Sequence, residues 1–217
     1  MAKDDRAFVI RHTRLQPVPG LDDIRLHLSD DVFAVWHAVQ EVSGDPDAPI
    51  PFWAFAWGGG MAIAHYLRDH SSVVAGKVVL DIASGSGLCA IAAIRAGAAR
   101  VTAVDIDPRA IAAINLNASA NDVRLDARLT DLLEDDPPKV DVILAGDCWY
   151  EEDFGTRVTA WLKRAHQAGT EVLIGDPGRR YLDASAVKEL ARYDVRSTTD
   201  LEDLGRTTAT VYALVDS

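Results

Sequence analysis

A doubly wound, mostly parallel α/β sheet of seven strands, Rossmann-like and closed by an antiparallel terminal hairpin, is the fold class predicted by this 217-residue sequence. Three observations predict it. The stretch Val73 to Asp107 reads as strand, tight Gly-containing loop, helix, strand, which is one βαβ unit. Short β-branched runs then alternate with helical segments toward the C-terminus. The last two strand candidates follow each other with no helix between them, so one strand must run antiparallel.

Residues 1–48 are irregular, and short strands are expected at Ala7 to Ile10 and Ile24 to Leu28, around the turn Pro17-Val18-Pro19-Gly20. Asp30 or Asp31 is placed to cap a helix running to about Gln40, with Phe33, Trp36 and Val39 on one face. Ser43 to Pro51 is a loop. Pro51-Phe-Trp-Ala-Phe-Ala-Trp57 then sets four aromatic rings within six residues, ahead of Gly58 to Gly60 and a helical segment from Met61 to Asp69. Three glycines in a row imply backbone that approaches a ligand or another loop closely.

In the βαβ unit, Val78 to Ile82 is the first strand, Leu88 to Ile94 the helix, stopped by Gly97, and Val101 to Val104 the second strand. Asp107-Pro108 has the form of an N-cap with proline at the first helical position, opening a helix to about Ala120. Strands are expected at Asp126 to Leu129, Val140 to Leu144 and Glu171 to Ile174, with a helix from Val158 to Ala168 ended by Gly169. Beyond these, the pattern predicts a helix at Ala184 to Arg192 and strands at Tyr193 to Ser197 and Thr207 to Val215. Residues 1–72 are read as an N-terminal extension with an aromatic segment covering the substrate side, and 73–217 as the ligand-binding core of a single domain.

Composition narrows the function classes. The formal charge of -11 argues against a nucleic-acid partner, because non-specific binding depends on Lys and Arg neutralising phosphates. No apolar run reaches bilayer length and the N-terminus lacks the basic-then-apolar order of a secretory signal, so no membrane partner and a cytoplasmic location are expected. Cys89 and Cys148 are too few for a disulfide framework or a zinc site; no metal is expected.

In a sheet of this class, ligands lie at the C-terminal ends of the strands. The loop Gly85-Ser-Gly87-Leu-Cys-Ala90 satisfies G-x-G-x-x-G/A, a pattern that nicotinamide-binding folds share. Asp81 separates the readings. A carboxylate where the first strand ends repels a pyrophosphate but accepts hydrogen bonds from the methionine ammonium of S-adenosyl-L-methionine. Asp105, at the end of the second strand, is placed to accept from the ribose hydroxyls, and Asp131, after the third, from the adenine amino group. Ser84 in the loop and Leu132 after Asp131 complete the expected cofactor set, with S-adenosyl-L-homocysteine as the product.

With these residues, the chain resembles the seven-strand class I methyltransferases. The run Asp147-Cys-Trp-Tyr150 is similar to the D-x-x-Y motif of their protein-lysine branch. Pro51 to Trp57 and Gly175-Asp-Pro-Gly-Arg179 resemble segments of the electron-transfer-flavoprotein β-subunit lysine methyltransferases, although Gly58 stands where many members have proline. The likeness covers about residues 50–180. It implies a protein substrate, the flavoprotein β subunit. It also implies that Asp147 and Tyr150 act at the lysine, and that Trp57 and the backbone near Gly146 line the cofactor. Trp149, beside Tyr150, is expected to wall the lysine pocket, since aromatic faces tolerate ammonium and methylammonium alike.

Two other readings stay open at this level: methylation of a ribosomal protein or small molecule, and a nicotinamide-linked oxidoreductase or non-catalytic nucleotide module. Lysine must be neutral to attack, so a carboxylate, which raises an amine's pKa, is more plausibly an orienting group at position 147 than a strong base.

Overall fold

The computed structural model describes residues 2–196 and 206–215. Seven strands form one sheet: β3 (Val78–Ile82), β4 (Arg100–Asp105), β5 (Asp126–Leu129), β6 (Val142–Gly146), β7 (Glu171–Asp176), β8 (Val187–Arg196) and β9 (Arg206–Leu214). Their order is β5-β4-β3-β6-β7-β9-β8, and β9 alone runs antiparallel to its neighbours β7 and β8. The expected parallel sheet with its terminal hairpin is therefore present. Two further strands, β1 (Arg14–Val18) and β2 (Leu21–Leu28), pair as a separate hairpin.

Both faces of the central strands are buried, and alternate residues serve different layers. Val142 and Leu144 of β6 and Leu173 of β7 join the cluster under α3 (Gly58–Asp69) and α4 (Leu88–Arg95), which also takes Ile114 from α5 (Pro108–Ala120). Ile143, Ala145, Val172 and Ile174 point the other way, onto Trp161, Leu162 and Ala165 of α6 (Glu152–Gln167). A third cluster ties α1 (Ala2–His12) and α2 (Val32–Ser43) to the aromatic segment and α5. The helix α3, on the N-terminal side of residue 72, lies directly on the sheet.

The turn at Pro19-Gly20 holds, but the strand before it begins at Arg14, and Ala7 to Ile10 lies inside α1. There the β-branched pair Val9-Ile10 looks like a strand, yet Phe8 and Val9 are buried while Ile10 is 49% exposed, and Asp4, Asp5 and Arg11 suit the ends of a helix dipole. Asp31 is the cap of α2, its Oδ1 accepting from the Ala34 N–H. The buried stripe is Val32, Val35 and Val39; Phe33 faces outward at 50% exposure.

The segment Ala184 to Arg192, made largely of helix formers, is a single 3-10 turn (Ala184–Ala186) followed by β8. The segment pairs along β9 as the edge strand of the sheet, so tertiary context overrides propensity. Ser197 lies outside the described residues. Among those residues, no helix is long and apolar enough to cross a membrane.

Candidate active site

A cavity of about 450 Å³ opens where β3, β4 and β6 end, at the point where the strand order turns back on itself. Trp57, Asp81, Ser84, Gly85, Asp105, Asp131, Leu132, Gly146, Asp147 and Tyr150 all line it, so ten of the twelve residues expected from sequence meet there. Gly87 and Trp149 do not.

The loop after β3 explains its own glycines. Gly85 (φ 54°) and Gly87 (φ 82°) adopt left-handed backbone, and a Cβ on Gly87 would come within 3.3 Å of Ile114. Gly87 thus shapes the turn from behind. Asp81 is 1% exposed, and its Oδ2 accepts from Ser84 Oγ (2.5 Å) and from the Ala90 N–H (3.1 Å). Ala90 is the third residue of α4, so a protein carboxylate already occupies the helix N-terminus that would otherwise receive a phosphate. Asp105 accepts from the Gly85 N–H (2.8 Å) and the Asp107 N–H (3.0 Å), which fixes the loop to the end of β4. Burial lifts Asp105 above the usual carboxylate range and lifts Asp81 to about 7. A buried and a part-buried carboxylate, Asp81 and Asp105, over an internally capped helix fit a cationic ligand such as S-adenosylmethionine and disfavour a pyrophosphate.

Asp131 sits at the rim, where its Oδ1 accepts from the Leu133 N–H (2.9 Å) and its Oδ2 pairs with Arg157 (3.3 Å). An adenine amino group reaching it would share that carboxylate with an existing partner.

The other end of the cavity is built around Asp147. It follows β6 directly, in a left-handed conformation (φ 57°) that Asp tolerates better than most residues. Its Oδ1 accepts from the Gly59 N–H (3.0 Å) and its Oδ2 from the Gly60 N–H (2.8 Å). The carboxylate therefore caps α3, a helix distant in sequence, and not the helix that follows it. The glycines make the approach possible: a Cβ on Gly59 would overlap the Gly175 carbonyl, and one on Gly146 would lie 3.1 Å from the Gly60 Cα. The close backbone approach expected at Gly58 to Gly60 is this crossing of α3 over β6 and β7. Burial raises Asp147 to about 6, offset in part by the Arg179 guanidinium 3.4 Å from Oδ1.

Tyr150, 40% exposed, stands beside Phe52 (centroids 4.8 Å apart) and Phe154 (5.5 Å), and Phe52 meets Trp57 at 5.6 Å, so four rings form the mouth. Burial pushes the Tyr150 phenol up to about 12, which keeps it protonated as a hydrogen-bond donor. Trp57 is fixed by its Nε1–H donating to the Phe52 carbonyl (2.8 Å).

Trp149, expected to wall the lysine pocket, does not line the cavity. It is 1% exposed on the far side of the same turn, its Nε1–H donating to Thr159 Oγ1 (2.9 Å) and its ring seated on Gly155 of α6. The sharp bend at Asp147 sends Tyr150 to the cavity and Trp149 into the core.

Sequence reasoning missed Phe52 and Phe154 as mouth residues and Arg179 as Asp147's ion-pair partner. The signal for Arg179 was present in Gly175-Asp-Pro-Gly-Arg179. Buried Asp176 accepts from the N–H groups of Gly178 (2.7 Å) and Arg179 (2.5 Å), a tight turn that aims the guanidinium at the cavity.

The family profile of ribosomal protein L11 methyltransferase (PrmA) matches residues 65–146, from α3 to the end of β6. Among solved structures, the ribosomal protein L11 methylase of Lactobacillus delbrueckii subsp. bulgaricus superposes with a TM-score of 0.53 at 21% identity, over 75% of this chain and 81% of that one, a likeness of fold. The electron transfer flavoprotein beta subunit lysine methyltransferase of Xenopus laevis is 35% identical over 96% of this chain and 86% of its own length. Its Homo sapiens counterpart is 39% identical over 95% and 80%. The chain belongs to the electron transfer flavoprotein beta subunit lysine methyltransferase family.

Proposed function

We propose that this protein transfers a methyl group from S-adenosylmethionine to lysine side chains of an electron transfer flavoprotein β subunit. One observation carries the reading: a single cavity has the buried Asp81 and part-buried Asp105 carboxylates at one end and the Asp147 carboxylate, with aromatic neighbours, at the other.

Asp81 and Asp105 suit the ammonium and ribose of the cofactor, and Trp57, Leu132 and the Gly146 backbone suit its flanks. When bound there, it supplies the methyl group as an electrophile on a sulfonium. Asp147, anchored by two α3 N–H groups, is held rigidly enough to orient an amine, because moving it would uncap the helix. The Tyr150, Phe52 and Phe154 rings exclude water from the amine's path and accept a methylated ammonium as readily as a free one.

The test is mass spectrometry of purified flavoprotein β subunit, ribosomal protein L11 and total RNA after incubation with the enzyme and isotope-labelled S-adenosylmethionine. Label on lysines of the β subunit is expected. Label confined to L11, or to RNA, would replace this reading.

A further inference from the structure

We propose that Arg179 is a positioning residue that makes the acceptor end select a neutral amine, by occupying part of the Asp147 carboxylate that an incoming ammonium would otherwise claim. The inference rests on the lysine reading above. Its geometric basis is the 3.4 Å contact between the guanidinium and Asp147 Oδ1, with the guanidinium carbon 6.0 Å from the centre of the Trp57 ring.

The charges around this point are lopsided. Asp81 comes from β3, Asp105 from β4, Asp147 and Glu151 from the turn after β6, Asp176 from β7, and Asp153 from α6. The neighbouring phenol of Tyr150 and thiols of Cys89 and Cys148 are pushed up by burial and stay neutral. Among the described residues lining the cavity, the cations are Arg157 and Arg179. Arg157 is engaged across the rim by Asp131 (3.3 Å) and Glu134 (2.7 Å), which leaves Arg179 as the cation at the acceptor end.

A site of carboxylates alone would bind lysine as ammonium and hold its proton, raising a pKa that starts at about 10.4. That form has no lone pair. In the reaction, the neutral nitrogen gives its lone pair to the methyl carbon, the carbon–sulfur bond breaks with its pair left on sulfur, and a proton departs from the new methylammonium to water. A fixed guanidinium beside Asp147 lowers the cost of losing the first proton, because it repels the ammonium and not the amine. Asp147 keeps its second oxygen, on the Gly60 N–H, as a hydrogen-bond acceptor for the amine N–H.

The experiment is the pH dependence of kcat and KM for methylation of the purified β subunit by wild type, Arg179→Gln and Arg179→Lys. For Arg179→Gln, the acid limb of kcat is expected to move up by about one pH unit, giving roughly a tenfold loss near neutrality that closes at high pH. KM is expected to fall, since the freed carboxylate binds ammonium more tightly. Arg179→Lys is expected to restore the limb. An equal fractional loss at every pH, or a limb that stays displaced in Arg179→Lys, would overturn the inference while leaving the lysine reading intact. Wild type that places no methyl on any lysine of the β subunit would overturn both.

Discussion

Asp81 is the residue whose chemistry is most exposed to test. Burial lifts its carboxyl to about 7, well above an unfolded aspartate. Its contribution to folding is complete below about pH 4, where both states hold the proton, and is lost as pH rises through about 7. A bound cation reverses that preference by favouring the carboxylate. Affinity for S-adenosylmethionine is therefore expected to rise by up to about tenfold per pH unit between roughly pH 5 and 7, with release of close to one proton at pH 6. Calorimetry in buffers of different ionisation enthalpy measures both quantities. Affinity that is flat over this range would remove Asp81 from the ammonium site. The acids at strand ends were legible in sequence because they break apolar runs whose length marks the strand. Trp149 and Tyr150 were not told apart, since adjacent residues in one motif diverge only through the left-handed backbone at Asp147.

At the scale of elements, the crossing of α3 over β6 and β7 is what brings the two halves of the site together. Gly59 and Gly175 touch backbone to backbone there, with no room for a methyl group on either. Gly59→Ala and Gly175→Ala are each expected to cost roughly 1–3 kcal/mol in urea unfolding, by overpacking. Each should also lower methyl transfer, because the Asp147 carboxylate follows α3. Variants as stable as wild type would show that the crossing relaxes freely. The glycine run and the need for close approach could be read from Gly58 to Gly60, but the partner could not. It lies on β7, over a hundred residues away, and neither helical nor strand periodicity reports contacts at that separation. The same gap accounts for Ala184 to Arg192, where good helix formers are held extended by β9. It also accounts for Ala7 to Ile10, where a β-branched pair is helical because Phe8 and Val9 face the aromatic segment.

For the whole molecule, the sheet order places the ends of β3, β4 and β6 side by side, so that one cavity receives both the loop carboxylates and Asp147. The parallel sheet was readable because central strands buried on both faces appear as continuous β-branched runs. The cavity's aromatic mouth was half readable: Trp57 stood out, whereas Phe154 lay ahead of the helix expected from Val158 and belongs to it only because α6 starts at Glu152. In the proposed reaction the two ends of this cavity have separate tasks, one holding the cofactor and the other the acceptor. The direct measurement is paired: S-adenosylhomocysteine affinity by calorimetry, and methyl transfer to the flavoprotein β subunit, in Asp105→Ala and Asp147→Ala. Asp105→Ala is expected to bind roughly 10- to 100-fold more weakly, while Asp147→Ala binds nearly as wild type and loses most transfer. Wild-type affinity in the first variant, or wild-type transfer in the second, would contradict the account.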